Sequence, residues 1–320
     1  MPSPEAISSS TVADQRPRLV VLVGPTAVGK TELSIQLAER LDGEIISADS
    51  RLFYIGMDIG TAKPTQEERA RVPHHLIDVT TPDRPWSLAV FQEAARQAVQ
   101  DITARGRLPL LVGGTGQYVR AVIEGWQTPA VEPDPRLRLA LDAWGMEVGK
   151  EALHQRLAKL DPQAAAGIDA RNMRRTVRAL EVILTTGKRF SEQRQRGLSP
   201  YRLLLLGLTR PRPELYARVD ARIQTMFSEG WLEETRLLLA MGYTPDLPAL
   251  SAIGYQQIIA YLQGALSLEA ADELIRRQTR VFVRRQANWF KLEDPAIHWF
   301  QPGPHLLDAV EKEVRLWLEN

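Results

Sequence analysis

The sequence predicts an α/β fold, a parallel sheet flanked by helices and interrupted by an all-helical insertion. Three observations carry this. Apolar, β-branched runs alternate with helical periodicity over the first 125 residues, the strand signal vanishes from about 126 to 199, and an apolar run at 201–208 restores it.

Taken in order, Arg18-Leu-Val-Val-Leu-Val23 reads as a buried parallel strand that stops at Gly24. A glycine-rich stretch, 24–31, follows, and from Glu32 the apolar residues Leu33, Leu37 and Leu41 recur at helical spacing. The segment 44–49 reads as a second strand, with Asp49-Ser50-Arg51 at its C-terminal end. Ser87 is placed to cap a helix carrying Leu88, Phe91, Ala95, Val99 and Ile102 on one face. Residues 107–112 form another buried run that ends at Gly113-Gly114-Thr115, and a helix is expected from Gly116 to Glu124.

Residues 129–199 are helical in pattern and rich in Arg and Ala; after the strand at 201–208 the chain closes with helices, one over 268–292. The expected organisation is a disordered tail over 1–17, a catalytic core from 18–125 and 200–320, and a helical insertion over 126–199. With 320 residues the chain can bury a large core in two lobes.

Composition narrows the function. No apolar run approaches the roughly 20 residues that cross a bilayer, so no membrane partner is expected. The first 17 residues lack the apolar stretch of a signal peptide. The chain has no cysteine, which excludes disulfides, thiolate zinc sites and cysteine nucleophiles and fits a cytoplasmic protein. The net charge of +1 is unevenly spread: 171–196 holds eight Lys/Arg against two Glu, and 276–291 holds six Lys/Arg and no acid. Such asymmetry points to a polyanionic partner.

Gly24-Pro25-Thr26-Ala27-Val28-Gly29-Lys30-Thr31 matches the phosphate-loop pattern in its required strand–loop–helix setting, so the core is expected to be P-loop NTPase-like. Glycines let backbone N–H groups turn toward a phosphate, the helix N-terminus adds its positive end, Lys30 supplies a charge, and the Thr31 hydroxyl can help hold Mg²⁺. A kinase or ATPase would add an acid after a hydrophobic strand or an Arg-rich lid. Here 107–112 ends in Gly-Gly-Thr, and Asp49 stands at the tip of the second strand instead, where open α/β sheets place their ligands. His74 and His75 read as packing or hydrogen-bonding residues, Asp58 as structural, and Trp231, Leu232 and Leu237 as core.

The chain resembles the tRNA dimethylallyltransferases. The segments that carry the resemblance are the phosphate loop, 47–51, Met57-Asp-Ile-Gly-Thr-Ala-Lys-Pro64, Pro73-His-His-Leu-Ile-Asp78, 113–116, 178–182, 253–255 and Arg285-Gln-Ala-Asn-Trp-Phe290, in family order. Leu52 stands where many members have glutamine. The resemblance implies that the loop holds the diphosphate of dimethylallyl diphosphate and that Asp49 takes a proton from the exocyclic amine of an adenine. That adenine would lie beside the anticodon of tRNAs reading codons that start with U.

It further implies that Arg218 neutralises the leaving diphosphate and that Thr115 lies near the flipped-out base. The tRNA anticodon arm is expected to contact Asp49, Ser50, Arg51, Leu52, Thr115, Arg138, Arg174, Arg175, Arg178, Gly254, Tyr255 and Gln256. Tyr255, Trp289 and Phe290 are candidate stacking aromatics. Mg²⁺ is the implied cofactor, and a monomer is expected.

Overall fold

The computed structural model describes residues 15–126, 134–193 and 198–320. The chain divides into two compact units, one of residues up to 86 with 94–119 and 199–320, the other of 87–93 with 120–198.

The first unit is built on one six-stranded sheet. β1 (Arg18–Val23), α1 (Lys30–Arg40), β2 (Gly43–Ser47), α2 (Gln66–Arg71) and β3 (His74–His75) come first, then α3 (Leu88–Ala104), β4 (Leu108–Gly113) and α4 (Gly116–Ile123). The strand order is β3-β2-β4-β1, continued by β5 (Arg202–Leu208) and β6 (Ile297–Phe300), and every pair is parallel. β1 lies between β4 and β5, with Val20 opposite both Leu110 and Leu204. Its residues 19–23 are buried, which is why they read as a continuous apolar run. Ser87 caps α3 as expected, its Oγ accepting from Val90 N at 3.2 Å.

The strands β3 and β6 were not legible: one is His-His, the other Ile-His-Trp-Phe, and both sit at sheet edges. The first two residues of the phosphate-loop helix come earlier than the pattern suggests, since α1 starts at Lys30. α10 (Arg212–Ser228), α11 (Trp231–Ala240), α12 (Tyr255–Leu262), α13 (Leu268–Gln286) and α14 (Leu306–Glu319) complete the unit. The helix expected over 268–292 therefore ends at Gln286, and Leu237, expected in the core, is 56% exposed, whereas Trp231 is buried. Most of the expected tail, 1–14, lies outside the described residues. Arg16 and Pro17 are tied down, by Arg16 Nη1 donating to Ser199 O and by Arg202 N donating to Pro17 O.

The second unit is helical throughout its described residues. After the end of α4 it holds α5 (Pro135–Val148), α6 (Lys150–Leu160), α7 (Pro162–Ala166), α8 (Met173–Thr186) and α9 (Phe190–Gln193) around a core that includes Leu141, Leu153, Leu157 and Leu180. Two buried carboxylates pin it. Asp161 accepts from Ala164 N, Ser191 N and Ser191 Oγ. Glu181 accepts from Asp134 N, Arg138 Nη2 and Arg178 Nη1, each within 2.9 Å. Burial pushes the Glu181 carboxyl up, but the two guanidiniums outweigh it and hold it below the ordinary glutamate range. Among the described residues no helix is long and apolar enough to cross a membrane.

Candidate active site

The phosphate loop joins β1 to α1 through two glycines that other residues could not replace without strain. Gly24 has φ +152°, and a Cβ there would meet the Leu208 carbonyl oxygen at 2.6 Å. Gly29, at φ +110°, caps α1 without a side chain, which leaves the helix N-terminus open. Side chains hold the loop by its carbonyls: Lys30 Nζ donates to Gly24 O and Pro25 O at 3.0 and 2.9 Å. Arg218 Nε donates to Ala27 O at 2.7 Å, and Arg210 Nε to Val28 O at 3.2 Å. With these carbonyls engaged, and with Thr26 N donating to Gln286 Oε1, the amides at the α1 N-terminus are its face for an anion.

The loop opens on a cavity of about 630 Å³ that Lys30, Thr31, Asp49, Thr115, Arg218 and Arg222 all line. Burial lowers the Lys30 ammonium to about 8; Asp49 opposes that shift and Arg222 adds to it. Arg222 is likewise pulled below its usual range by burial and by Arg218, with Asp49 again opposing. The lining holds four cations, Lys30, Arg51, Arg218 and Arg222, against three carboxylates, Glu32, Asp49 and Glu68, and the cations beside the loop suit it to an anion. Asp49 is oriented by its own turn, its Oδ1 accepting from Arg51 N at 3.0 Å. The cavity also has apolar walls, among them Val219, Ile223 and Met226 of α10 and Ile275 and Phe282 of α13.

The end of β4 explains the missing acid. A Cβ on Gly113 would meet the Ala48 carbonyl oxygen at 2.6 Å, and one on Gly114 would meet Gln286 Nε2 at 2.4 Å. At Gly113 the backbone of Ala48 closes the space to a side chain, and at Gly114 the Gln286 amide fills it. A third wall is the loop after Met57, of which Gly60, Thr61, Ala62 and Pro64 line the cavity. Its amides at Asp58, Ile59 and Gly60 all donate to the Glu234 carboxylate, which also accepts from Tyr255 OH at 2.6 Å. Lys63, almost fully buried, pairs with Asp58 and Asp78, so Asp58 is engaged within the loop.

The structure brings Asp49, Ser50, Arg51, Leu52 and Thr115 to this cavity with the phosphate-loop residues. Arg51 Nη1 also donates to Pro248 O and Ala249 O, and Gln256 Nε2 to Pro245 O and Leu250 O. Gly254 and Tyr255 require a correction. Both are buried, Gly254 has φ +99° with no room for a Cβ beside the Trp231 ring, and the Tyr255 ring packs edge-on to Trp231. Tyr255 therefore presents no face to a base, and neither does Phe290, which is also buried. Trp289 covers Gly116.

In the helical unit Arg174 and Arg175 are exposed on α8, while Arg138 and Arg178 are engaged by Glu181. The basic run at 276–291 is partly neutralised too, Arg276 by Asp272 and Arg280 by Asp220. His75 Nε2 donates to the Glu44 carboxylate at 2.6 Å, and His74 Nδ1 donates to Val72 O at 2.8 Å.

Sequence reasoning missed Arg222, Glu234 and Gln286 as members or supports of the site. Arg222 carried a signal, standing one helical turn beyond Arg218; Glu234 had none.

Fold and cavity together define a phosphate-loop α/β protein whose anion cradle shares its space with a carboxylate. The chain belongs to the IPP transferase family, whose model matches residues 52–293, and the isopentenyl transferase model matches 17–80. It is 54% identical over 301 residues to a tRNA dimethylallyltransferase of Roseiflexus sp. (strain RS-1), covering 94% of this chain and 99% of that one. A tRNA dimethylallyltransferase of Thermomicrobium roseum is 48% identical, with 94% and 93% covered.

Among solved structures, the tRNA isopentenylpyrophosphate transferase of Bacillus halodurans superposes with a TM-score of 0.71 at 42% identity, over 95% of this chain and 97% of that one. A eukaryotic dimethylallyltransferase captured acting on tRNA superposes at 0.78 with 27% identity, over 93% and 77%.

Proposed function

We propose that the protein transfers the dimethylallyl group of dimethylallyl diphosphate to the exocyclic N6 amine of the adenine adjacent to the anticodon, in tRNAs reading codons that start with U, and releases diphosphate. The observation that carries this reading is the enclosure of Lys30, Thr31, Arg218 and Asp49 in one cavity.

The loop amides, the α1 N-terminus, Lys30, Arg218 and Arg222 bind the diphosphate and stabilise the charge that grows on it as the allylic C–O bond breaks. N6 attacks the allylic carbon, the N–C bond forms as C–O cleaves, and the proton that attack makes acidic passes to the Asp49 carboxylate. Holding amine and carbon together in a shielded cavity supplies much of the acceleration, because N6 is a weak nucleophile. The adenine leaves its stack to reach this space and lies beside Thr115.

The residues present fit a Mg²⁺ ion. The Thr31 hydroxyl is a hard oxygen donor in the cavity, and the described residues hold no cluster of three or more carboxylates or histidines that would cage a metal alone. The ion would take its other oxygens from diphosphate and water, and when bound it would neutralise charge on the leaving group. Arg51, Gln256 and the arginines of α8, Arg174 and Arg175 foremost, are assigned to the anticodon arm, with Arg138 and Arg178 beside them. The enzyme acts as a monomer in the cytoplasm.

Incubation with Mg²⁺, labelled dimethylallyl diphosphate and either unmodified tRNA or AMP tests this. Label in tRNA is expected. Label only in AMP, or ATP turnover without transfer, refutes the reading.

A further inference from the structure

Along α13, residues Ile275, Thr279 and Phe282 line the cavity, and the next position of that stripe is Gln286. Its side chain is 6% exposed. Oε1 accepts from Thr26 N at 2.8 Å, and Nε2 donates to Gly114 O at 3.1 Å. One amide therefore spans the phosphate loop and the turn after β4. Only a side chain with a donor and an acceptor on one carbon can satisfy an N–H on one side and a C=O on the other. The contact is close: a Cβ on Gly114 would lie 2.4 Å from Nε2 and 3.2 Å from Gly24 O.

α13 is itself fixed. Arg280 Nη2 pairs with Asp220 Oδ2 at 2.5 Å, and Arg276 Nη1 donates to Asp220 O at 3.2 Å. Asp220 lies two residues after Arg218 on α10, and Arg218 holds Ala27 O. The phosphate loop is thus gripped at Thr26 from α13 and at Ala27 from α10, by two helices braced against each other.

We propose that Gln286 is a positioning residue for transfer: it locks the diphosphate loop to the Gly113–Thr115 turn and so sets the separation of allylic donor and acceptor base. This rests on the function proposed above, in which Thr26 belongs to the donor cradle and Thr115 borders the base. Gln286 touches no reacting atom. Its loss therefore acts on the geometry of the encounter, which lowers kcat while tRNA affinity holds.

The test uses the full chain with Gln286→Met, which keeps volume and removes both bonds, and Gln286→Glu, which keeps the acceptor and loses the donor only while ionised. For Gln286→Met, kcat is expected to fall about tenfold or more, with the tRNA Kd within about twofold of wild type. In Gln286→Glu, burial beside Gly114 O pushes the introduced carboxyl up, and its neutral form can donate to that oxygen. Its kcat relative to wild type at the same pH should therefore rise between about pH 8 and about pH 6, while the Gln286→Met ratio stays flat. Taking the ratio removes the pH dependence that the variants share with wild type.

A Gln286→Met kcat within about twofold of wild type overturns the proposal, as does a pH-independent Gln286→Glu ratio. Should Gln286→Met fail to fold by circular dichroism, the Gln286→Glu ratio decides alone. If wild type transfers no label, the functional reading fails, and the lock is judged by Mg-pyrophosphate titration. About tenfold weaker binding by Gln286→Met then supports it, and unchanged binding overturns it.

Discussion

Replacing Glu234 by alanine removes an acceptor that four donors share. Oε2 accepts from Asp58 N at 2.8 Å and Ile59 N at 2.7 Å, and Oε1 from Gly60 N at 3.1 Å and Tyr255 OH at 2.6 Å. Hydrogen bonds to an ionised group contribute ~1.5–3 kcal/mol each, but simple addition overshoots, because a loop amide can recover water once the carboxylate is gone. The exposed Asp58 amide recovers most of its loss. The Tyr255 hydroxyl belongs to a fully buried ring and recovers least, leaving an orphaned donor that costs ~1–3 kcal/mol. With a partial cost for the Ile59 and Gly60 amides, Glu234→Ala should lose about 3–5 kcal/mol, a large share of a domain's ~5–15.

Burial and the Glu234 carboxylate together hold the Tyr255 phenol well above its ordinary range, so the hydroxyl stays a donor at every pH of interest. Urea unfolding followed by tryptophan fluorescence gives the loss, and hydrogen exchange at the Ile59 and Gly60 amides locates it. Tyr255→Phe completes a double-mutant cycle whose coupling should be about 1–2 kcal/mol. A loss for Glu234→Ala below about 1 kcal/mol, or strict additivity with Tyr255→Phe, would refute the shared-acceptor account.

That carboxylate also shows where sequence reading stops. The central strands could be read because β1, β4 and β5 are mostly buried and so are written largely in Leu and Val. The phosphate loop could be read because its glycines answer a local backbone demand. Asp49 stood out at the tip of the second strand, whereas its role as base and the choice of Arg218 came from a family pattern, and the cavity does gather both. Glu234 lies in an acidic first turn of α11 that looks like ordinary dipole compensation. Its three amide partners stand 174 to 176 residues earlier in the chain, and no periodicity encodes such a distance.

Tyr255 misled for the related reason that an aromatic in a polar motif looks available until the packing of Trp231 is known. The basic runs overstate the free charge, because charge counted along the sequence omits acids that come from elsewhere: Asp220 on α10 takes up Arg280 of α13.

Three further perturbations address the site itself. Arg174→Ala combined with Arg175→Ala, both exposed on α8, should weaken tRNA binding and reduce the slope of log K against log salt by up to about 1.8, measured by filter binding across salt; an unchanged slope would remove these residues from the interface. Affinity for a non-reactive donor analogue should fall as pH rises through about 8, because the Lys30 ammonium that binds diphosphate is lost there. Lys30→Met should flatten that dependence. The folded-state value lies below the 10.5 of an ordinary lysine, so the unfolded chain holds more protons between the two, and unliganded stability should rise over that interval.

The last perturbation is Asp49→Asn, which keeps an oxygen for the Arg51 amide and so preserves the turn while abolishing the base. Turnover should fall about 10²–10⁴-fold with tRNA affinity nearly unchanged. Because Asp49 now supports the charge on Lys30, its neutralisation should also move the pH at which donor affinity drops below the wild-type value of about 8. Normal turnover would dismiss Asp49 as the base. An unmoved donor pH profile, even with turnover lost, would show that carboxylate and ammonium do not share one cavity field.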